Sequence, residues 1–275
     1  MTDYASGVRT PYIDLARRLF EDLREDPAFR GISAKKTYLF CLDIALVALG
    51  VRLGFLLDEF TIPNAVDVFL QLLTRLRQNE FLFVIHVYEP SSAQSFFVHV
   101  GLLERVVLDF DEEPVDEEEY YHFVLLSNPP VLSPVIPGAV LPLLRSIFEA
   151  VTQTPEPSVT IRQEHTQQEI IPLAALLLEY PVAYVPISPE QSIFLPGVQL
   201  DVYTCMVGMP GDGDAPHPLL KFSCPTLIGT QHLQLSPPAM RLRLEQRFEP
   251  RTLILGAGHV LTVTHHIETH DRVGL

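Results

Sequence analysis

The chain has 275 residues, 47% of them hydrophobic and 19% charged, and 34 acids against 19 Lys and Arg leave a formal charge of −15 at pH 7. This is ample material for a core and excludes a disordered composition. The shortage of Lys and Arg argues against a groove that follows nucleic-acid phosphates and against docking on an anionic membrane, so neither is an expected partner.

Cys41, Cys205 and Cys224 are odd in number, widely spaced and without a CxxC pair. That pattern argues against a disulfide scaffold and for a reducing compartment, so a cytoplasmic location is expected. The first residues contain no continuous apolar segment of the kind a secretory signal needs.

Pro11 to Arg24 reads as an amphipathic helix, with Leu15, Ala16, Leu19 and Leu23 on one face, ended by Asp26-Pro27. A second helix follows Ser33, a good N-cap, and stops at Gly50, which suits the left-handed position after a helix. Tyr38 to Leu49 is apolar nearly all round, so this helix is covered on more than one side. Tyr38 to Leu57 is the most membrane-like window, but Gly50 and Gly54 interrupt it, and Asp43 and Arg52 would each cost about 2.5–3.5 kcal/mol mid-span. A buried helix leading into a strand explains the window better. Asp43 stands alone there, and a buried carboxylate needs either a partner that ties the helix in place or a raised pKa in a site.

Gly54 to Phe60 reads as a buried strand ending in Asp58 and Glu59, Pro63 opens a helix with Val66, Phe69, Leu70, Leu73 and Leu76 on one face, and Phe81 to Tyr88 is a second strand. Together they predict a parallel, right-handed βαβ unit. Ligands of open α/β sheets bind at the carboxyl ends of strands, so Asp58 and Glu59 are candidates to hold a metal, a ribose hydroxyl or a substrate amine. Capping the next helix, or simple solvation, is the bland alternative.

Ser95 to Val100 and Arg105 to Phe110 look like further strands, with His86 and His99 as structural donors. Eight acids between Asp109 and Glu119 make a solvated loop, or else a docking strip for a basic partner. Tyr120 to Leu126 is strand-like. Residues 127–138, with four prolines, are a loop and the one candidate break in a single 1–275 domain. Val140 to Val151 is a helix and Val159 to Ile161 a small edge strand. Thr166 and Glu169 match a capping box, but Pro172 falls deep for a helix starting there, so the start is placed at Ile171.

Pro181 and Pro186 make YPVAYVP an edge or irregular strand. Val198 to Val207 and Leu219 to Cys224, joined by Gly- and Asp-rich turn chemistry, predict an antiparallel hairpin. Ser236-Pro237 starts a last helix ending before Pro250, followed by strands at Thr252 to Leu255 and His259 to Ile267.

No P-loop, nucleophile elbow, HExxH or EF-hand pattern is present. Gly256 to His259 is a tight turn, because a strand follows it where a dinucleotide site needs a helix. Gly211 to Asp214 lacks the spaced ligands of a calcium loop. His266, Glu268 and His270 share one strand face and are a weak zinc candidate near the C-terminus. Cys224 is a candidate nucleophile if a His lowers its pKa, and otherwise a small buried hydrophobe. No cofactor is expected.

Several segments in order, LAALLLEYPVAY, LDVYTC, LLKFSCP and LRLEQRF, resemble an uncharacterised eukaryotic family, the one containing the human protein named chromosome 1 open reading frame 74. The likeness covers the last third well and the first third loosely, and leaves out the acidic run and the proline-rich middle. It implies an intracellular eukaryotic protein and carries over no catalytic residue.

The expectation is therefore an α/β (or α+β) domain on a single mixed sheet with flanking helices. Its leading function is a non-enzymatic interaction or scaffold protein with an unidentified protein partner. The alternative is a small-molecule hydrolase or transferase built on Asp58 and Glu59, with Asp43 and Cys224 as secondary candidates.

Overall fold

The computed structural model describes residues 11–77, 80–111, 120–161, 165–192, 194–208, 216–256 and 258–270. The acidic run from 112 onward and the turn 211–214 lie outside them. In chain order the elements are α1 (Pro11–Glu25), α2 (Ala34–Ala48), β1 (Gly54–Leu56), α3 (Ala65–Leu76), β2 (Val84–Glu89), β3 (Gln94–His99) and α4 (Val100–Asp111). There follow β4 (His122–Leu125), β5 (Val131–Leu132), α5 (Val140–Gln153), β6 (Ser158–Thr160), α6 (Gln167–Leu177) and β7 (Val182–Val185). The chain closes with β8 (Gln199–Gly208), β9 (His217–Pro225), α7 (Thr226–Gln231), α8 (Pro237–Thr252) and β10 (Val260–Thr269).

The fold is α/β, but the strands form three sheets where one was expected: β1-β3-β2-β6, β10-β8-β9 and β5-β4-β7. The parallel unit at Gly54–Tyr88 is also corrected. β1 and β2 run in the same direction, yet β3 lies between them and pairs antiparallel with both. The short turn from Glu89 to Gln94 brings β3 back onto β2 with little loop-closure entropy, so the local hairpin occupies the edge that β1 would have used. Parallel pairing occurs instead at β2–β6 and β4–β7. The β8–β9 hairpin is antiparallel, with an irregularity between Cys205 and Met206.

Three local expectations also change. Arg105 to Phe110 is helical, within α4: Leu102, Leu103, Val106 and Val107 are all buried, the i, i+1, i+4, i+5 spacing of one helix face. α4 starts where His99 Nδ1 accepts the Leu102 N–H at 3.2 Å, in the manner of an N-cap. α6 does begin after Thr166, whose N–H and hydroxyl donate to the Glu169 carboxylate at 2.8 and 3.0 Å, and it carries Pro172 inside it. The buried face of Ile170, Leu173 and Leu176 offsets the roughly 3 kcal/mol that an interior proline costs. α8 likewise runs through Pro250, and Leu253–Leu255 form a 3₁₀ turn in place of a strand.

α2 shows why the sequence looked membrane-like: residues Phe40 to Ala48 are all buried. No helix among the described residues is long and apolar enough to cross a membrane. Phe40 sits in an aromatic cluster, 5.8 Å from Phe55 and 5.3 Å from Phe97 between ring centres, while Phe69 meets Phe97 at 4.8 Å. Gly54 is required beside it, because a Cβ there would lie 2.8 Å from the carbonyl oxygens of both Leu177 and Phe97. The two core clusters each draw residues from both sides of 127–138, and β5, inside that segment, pairs with β4.

Candidate functional site

The acids singled out by the sequence separate. Asp43 is a structural ion pair: its Oδ1 accepts from Arg52 Nη1 at 2.9 Å and lies 3.1 Å from His217 Nε2. All three residues are buried, and they tie α2 to the turn before β1 and to β9. Asp58, two residues beyond β1, is exposed and lines a cleft of about 780 Å³. Glu59 does not line it. Burial raises the Glu59 pKa, with the Asp43 and Asp58 carboxylates adding to the shift, and its Oε2 is buried without a hydrogen-bond partner.

Cys224 is also outside the cleft. Lys221, Phe222 and Ser223 of β9 line the cleft, while Cys224, the next residue, is fully buried beyond it. Burial pushes its thiol up to about 12, the reverse of what a nucleophile needs. Burial does the same to Cys205, up to about 12, and also raises Cys41. All three thiols are therefore expected to resist Ellman's reagent at pH 8 in the native protein and to react together once it is unfolded in guanidinium. A fast-reacting native thiol would contradict this placement.

Glu268 joins the two imidazoles of the proposed zinc trio as a hydrogen-bond acceptor, taking Nε2 of His266 and, at 2.6 Å, Nε2 of His270. These two bonds draw its pKa below the usual carboxylate range. Among the described residues no group of three His, Cys, Asp or Glu side chains is placed to hold a metal.

The cleft lies where the ends of the first sheet and α6 face the β10-β8-β9 sheet. Ile170, Ile171, Ala174 and Ala175 come from one face of α6, and Leu200 and Val202 from alternate positions of β8. The rings of Tyr180 and Phe222 add an aromatic wall, stacked at 5.9 Å between centres. Polar groups gather at the rim. On one side the β1–β3 and β3–β2 registers bring Asp58, Gln94 and Glu89 to the same end of the sheet. On the other are Lys221, Ser223, Glu268 and His270.

Most of these groups already have partners. Glu89 is fully buried, which alone would raise its pKa, yet the hydroxyls and backbone N–H groups of Ser91 and Ser92 outweigh burial and hold it low. The two N–H bonds are 2.8 and 2.7 Å long. Ser223 Oγ and the Tyr184 hydroxyl are 2.9 Å apart, and burial raises the Tyr184 phenol, so neither is an activated nucleophile. Protein-family models, curated proteins and solved structures were compared with the chain, and none matches. The site is therefore read from its own chemistry.

Of the candidates, the structure brings Asp58, Glu268 and His270 to one cleft and leaves Asp43, Glu59, Cys224 and His266 out of its lining. The roles of Glu89, Tyr184 and Ser223 escaped the sequence reading. For Glu89 a signal existed: an acid followed at the second and third positions by serines, in a Glu-Pro-Ser-Ser turn, is set up for local side-chain-to-backbone bonding. His86 is fully buried between Ser158 Oγ at 2.9 Å and Ser95 Oγ at 3.0 Å, and burial drops its pKa to about 3. It is a neutral packing element, away from the cleft lining.

Proposed function

We propose that the chain is a non-enzymatic binding protein whose ligand, a small molecule with an apolar body, occupies the cleft between α6 and the β10-β8-β9 sheet. The observation that carries this reading is the cleft itself: about 780 Å³, walled by apolar and aromatic side chains with polar groups at its rim. Small-molecule sites have that size and character. Ser223 is taken by Tyr184 and His270 by Glu268, while the lining hydroxyls that do meet a carboxylate, Ser91 and Ser92 on Glu89 and Thr166 on Glu169, meet one whose pKa is held low and which is a weak base. Cytoplasmic location belongs to the same proposal, supported by three buried, unpaired cysteines. So does membership of the uncharacterised eukaryotic family, which rests on the segments quoted above. A role in holding a protein partner has less support, because the acidic run that motivated it lies mostly outside the described residues.

A hydrolase or transferase is the second reading. One observation favours it: His270, oriented by the Glu268 carboxylate, faces the same cleft as Asp58. A carboxylate-held imidazole is a common general base.

The test uses N-phenylnaphthylamine, an uncharged dye that brightens in apolar surroundings. The native protein is expected to bind it saturably, and Ala174→Phe, which fills the cleft from α6, is expected to weaken binding by about tenfold or more with the thermal midpoint little changed. Absence of dye binding, or equal binding by the variant, would overturn the reading.

A further inference from the structure

We propose that the ligand of this cleft carries a cationic group, an amine on an apolar ring-bearing body, and that Asp58 receives the charge. The inference rests on the cleft being the binding site, and it adds the chemical class of the occupant.

Three carboxylates and one lysine line the cleft, so its charge favours a cation from the outset. The carboxylates are not equivalent. Glu89 is saturated by Ser91 and Ser92. Glu268 is held by two imidazoles and lies within the field of Lys221. Asp58 differs from both: no basic side chain among the described residues forms an ion pair with it, and it is exposed at the rim of the apolar walls. The neighbouring Glu59 carboxyl brings it no positive charge.

The surroundings of Asp58 suit an ammonium group on a ring. Tyr180 lines the same cleft as Asp58, and burial raises its phenol, with the Arg52 cation acting against the rise and the Asp58 charge adding to it. Phe222 continues that aromatic wall inward. A carboxylate with aromatic faces is a recurrent setting for an ammonium ion, while the apolar side chains of α6 and β8 take the body of the ligand. An anion would be repelled by Asp58, and an uncharged donor would gain less from it than an ammonium does.

The experiment compares three molecules sharing one ring system, naphthylethylamine, naphthylethanol and naphthylacetate, as competitors for bound N-phenylnaphthylamine at neutral pH. The amine is expected to displace the dye at a concentration about tenfold below the alcohol, with the acid weakest. Asp58→Asn is expected to bring the amine-to-alcohol ratio to about one. Asp58 is exposed, and circular dichroism verifies that the variant is folded. An alcohol as good as the amine, an acid better than either, or a preference that survives Asp58→Asn would overturn the inference while the dye-binding cleft stands. A native protein that binds no dye overturns the cleft reading, and this inference with it.

Discussion

Glu179→Ala is expected to lower stability by about 3–5 kcal/mol in urea unfolding at pH 7, a loss large enough to take up much of a typical domain's margin. Glu179 is fully buried, and its carboxylate accepts from Arg247 Nε at 2.9 Å, from Arg251 Nη1 at 2.9 and 3.0 Å, and from the Leu53 N–H at 2.6 Å. It therefore joins the end of α6 to α8 and to the entry of β1. Removing it strands two guanidinium groups, one of them stacked 4.0 Å over the Tyr120 ring. The backbone sharpens the prediction. Glu179 follows α6 at φ 57°, and Tyr180 N–H returns to the Ala175 carbonyl at 2.8 Å, closing a Schellman-type helix end where glycine is the usual residue. Glu179→Gly should therefore be about 1 kcal/mol more stable than Glu179→Ala, since only the alanine keeps a Cβ in the left-handed region. Equal losses would mean that the backbone there relaxes freely.

The charge gives the pH dependence its sign. Burial alone would raise the Glu179 pKa, but Arg251 and Arg247 outweigh it and hold it below the unfolded value. The stability contributed by its ionisation is thus present above the unfolded pKa, about 4.3, and is lost as pH falls below it toward the depressed folded pKa. The gap between the native protein and Glu179→Gln should narrow over that acid range and stay constant from about pH 6 to 8.

How much of this was legible follows from how far apart the partners lie. Features set by neighbours in sequence could be read: Ser33 and Gly50 bracket α2, the apolar spacing of α1 and α3 fixes their faces, and the β8–β9 hairpin is local. Pro172 misled because local propensity was allowed to overrule a genuine cap, whereas the buried face of α6 decides. Arg105 to Phe110 misled because a short apolar run fits both periods. Sheet order depends on which distant edge each strand finds, as β3 shows by entering between β1 and β2. The cleft is less legible still. It is assembled from the end of β1, the β2–β3 turn, α6, β9 and β10, and no spacing rule links Asp58 to Tyr180 or Phe222. Physics did announce that Asp43 needed a partner: Arg52 is only nine positions on, but His217 lies 174 positions away.

That partnership separates the two readings of Asp43. Asp43→Ala is expected to lose about 3–4 kcal/mol, because Arg52, only 9% exposed, would keep its charge with only the Gly54 carbonyl left, bound through Nε at 2.9 Å. The double variant Asp43→Leu with Arg52→Met should recover to within about 1–2 kcal/mol of the native protein, since replacing a whole buried ion pair by apolar groups of similar volume is often neutral. A double variant as unstable as the single one would mean that each side chain is needed for its separate contacts, including Asp43 with His217 and Arg52 with Gly54. Dye binding supplies the functional half. Asp43 does not line the cleft, so folded Asp43→Ala protein is expected to bind N-phenylnaphthylamine as the native protein does. If dye affinity fell while the double variant regained stability but not binding, Asp43 would belong to the site after all. With both restored, its carboxylate serves the fold, and the charge available to a ligand is the one at Asp58.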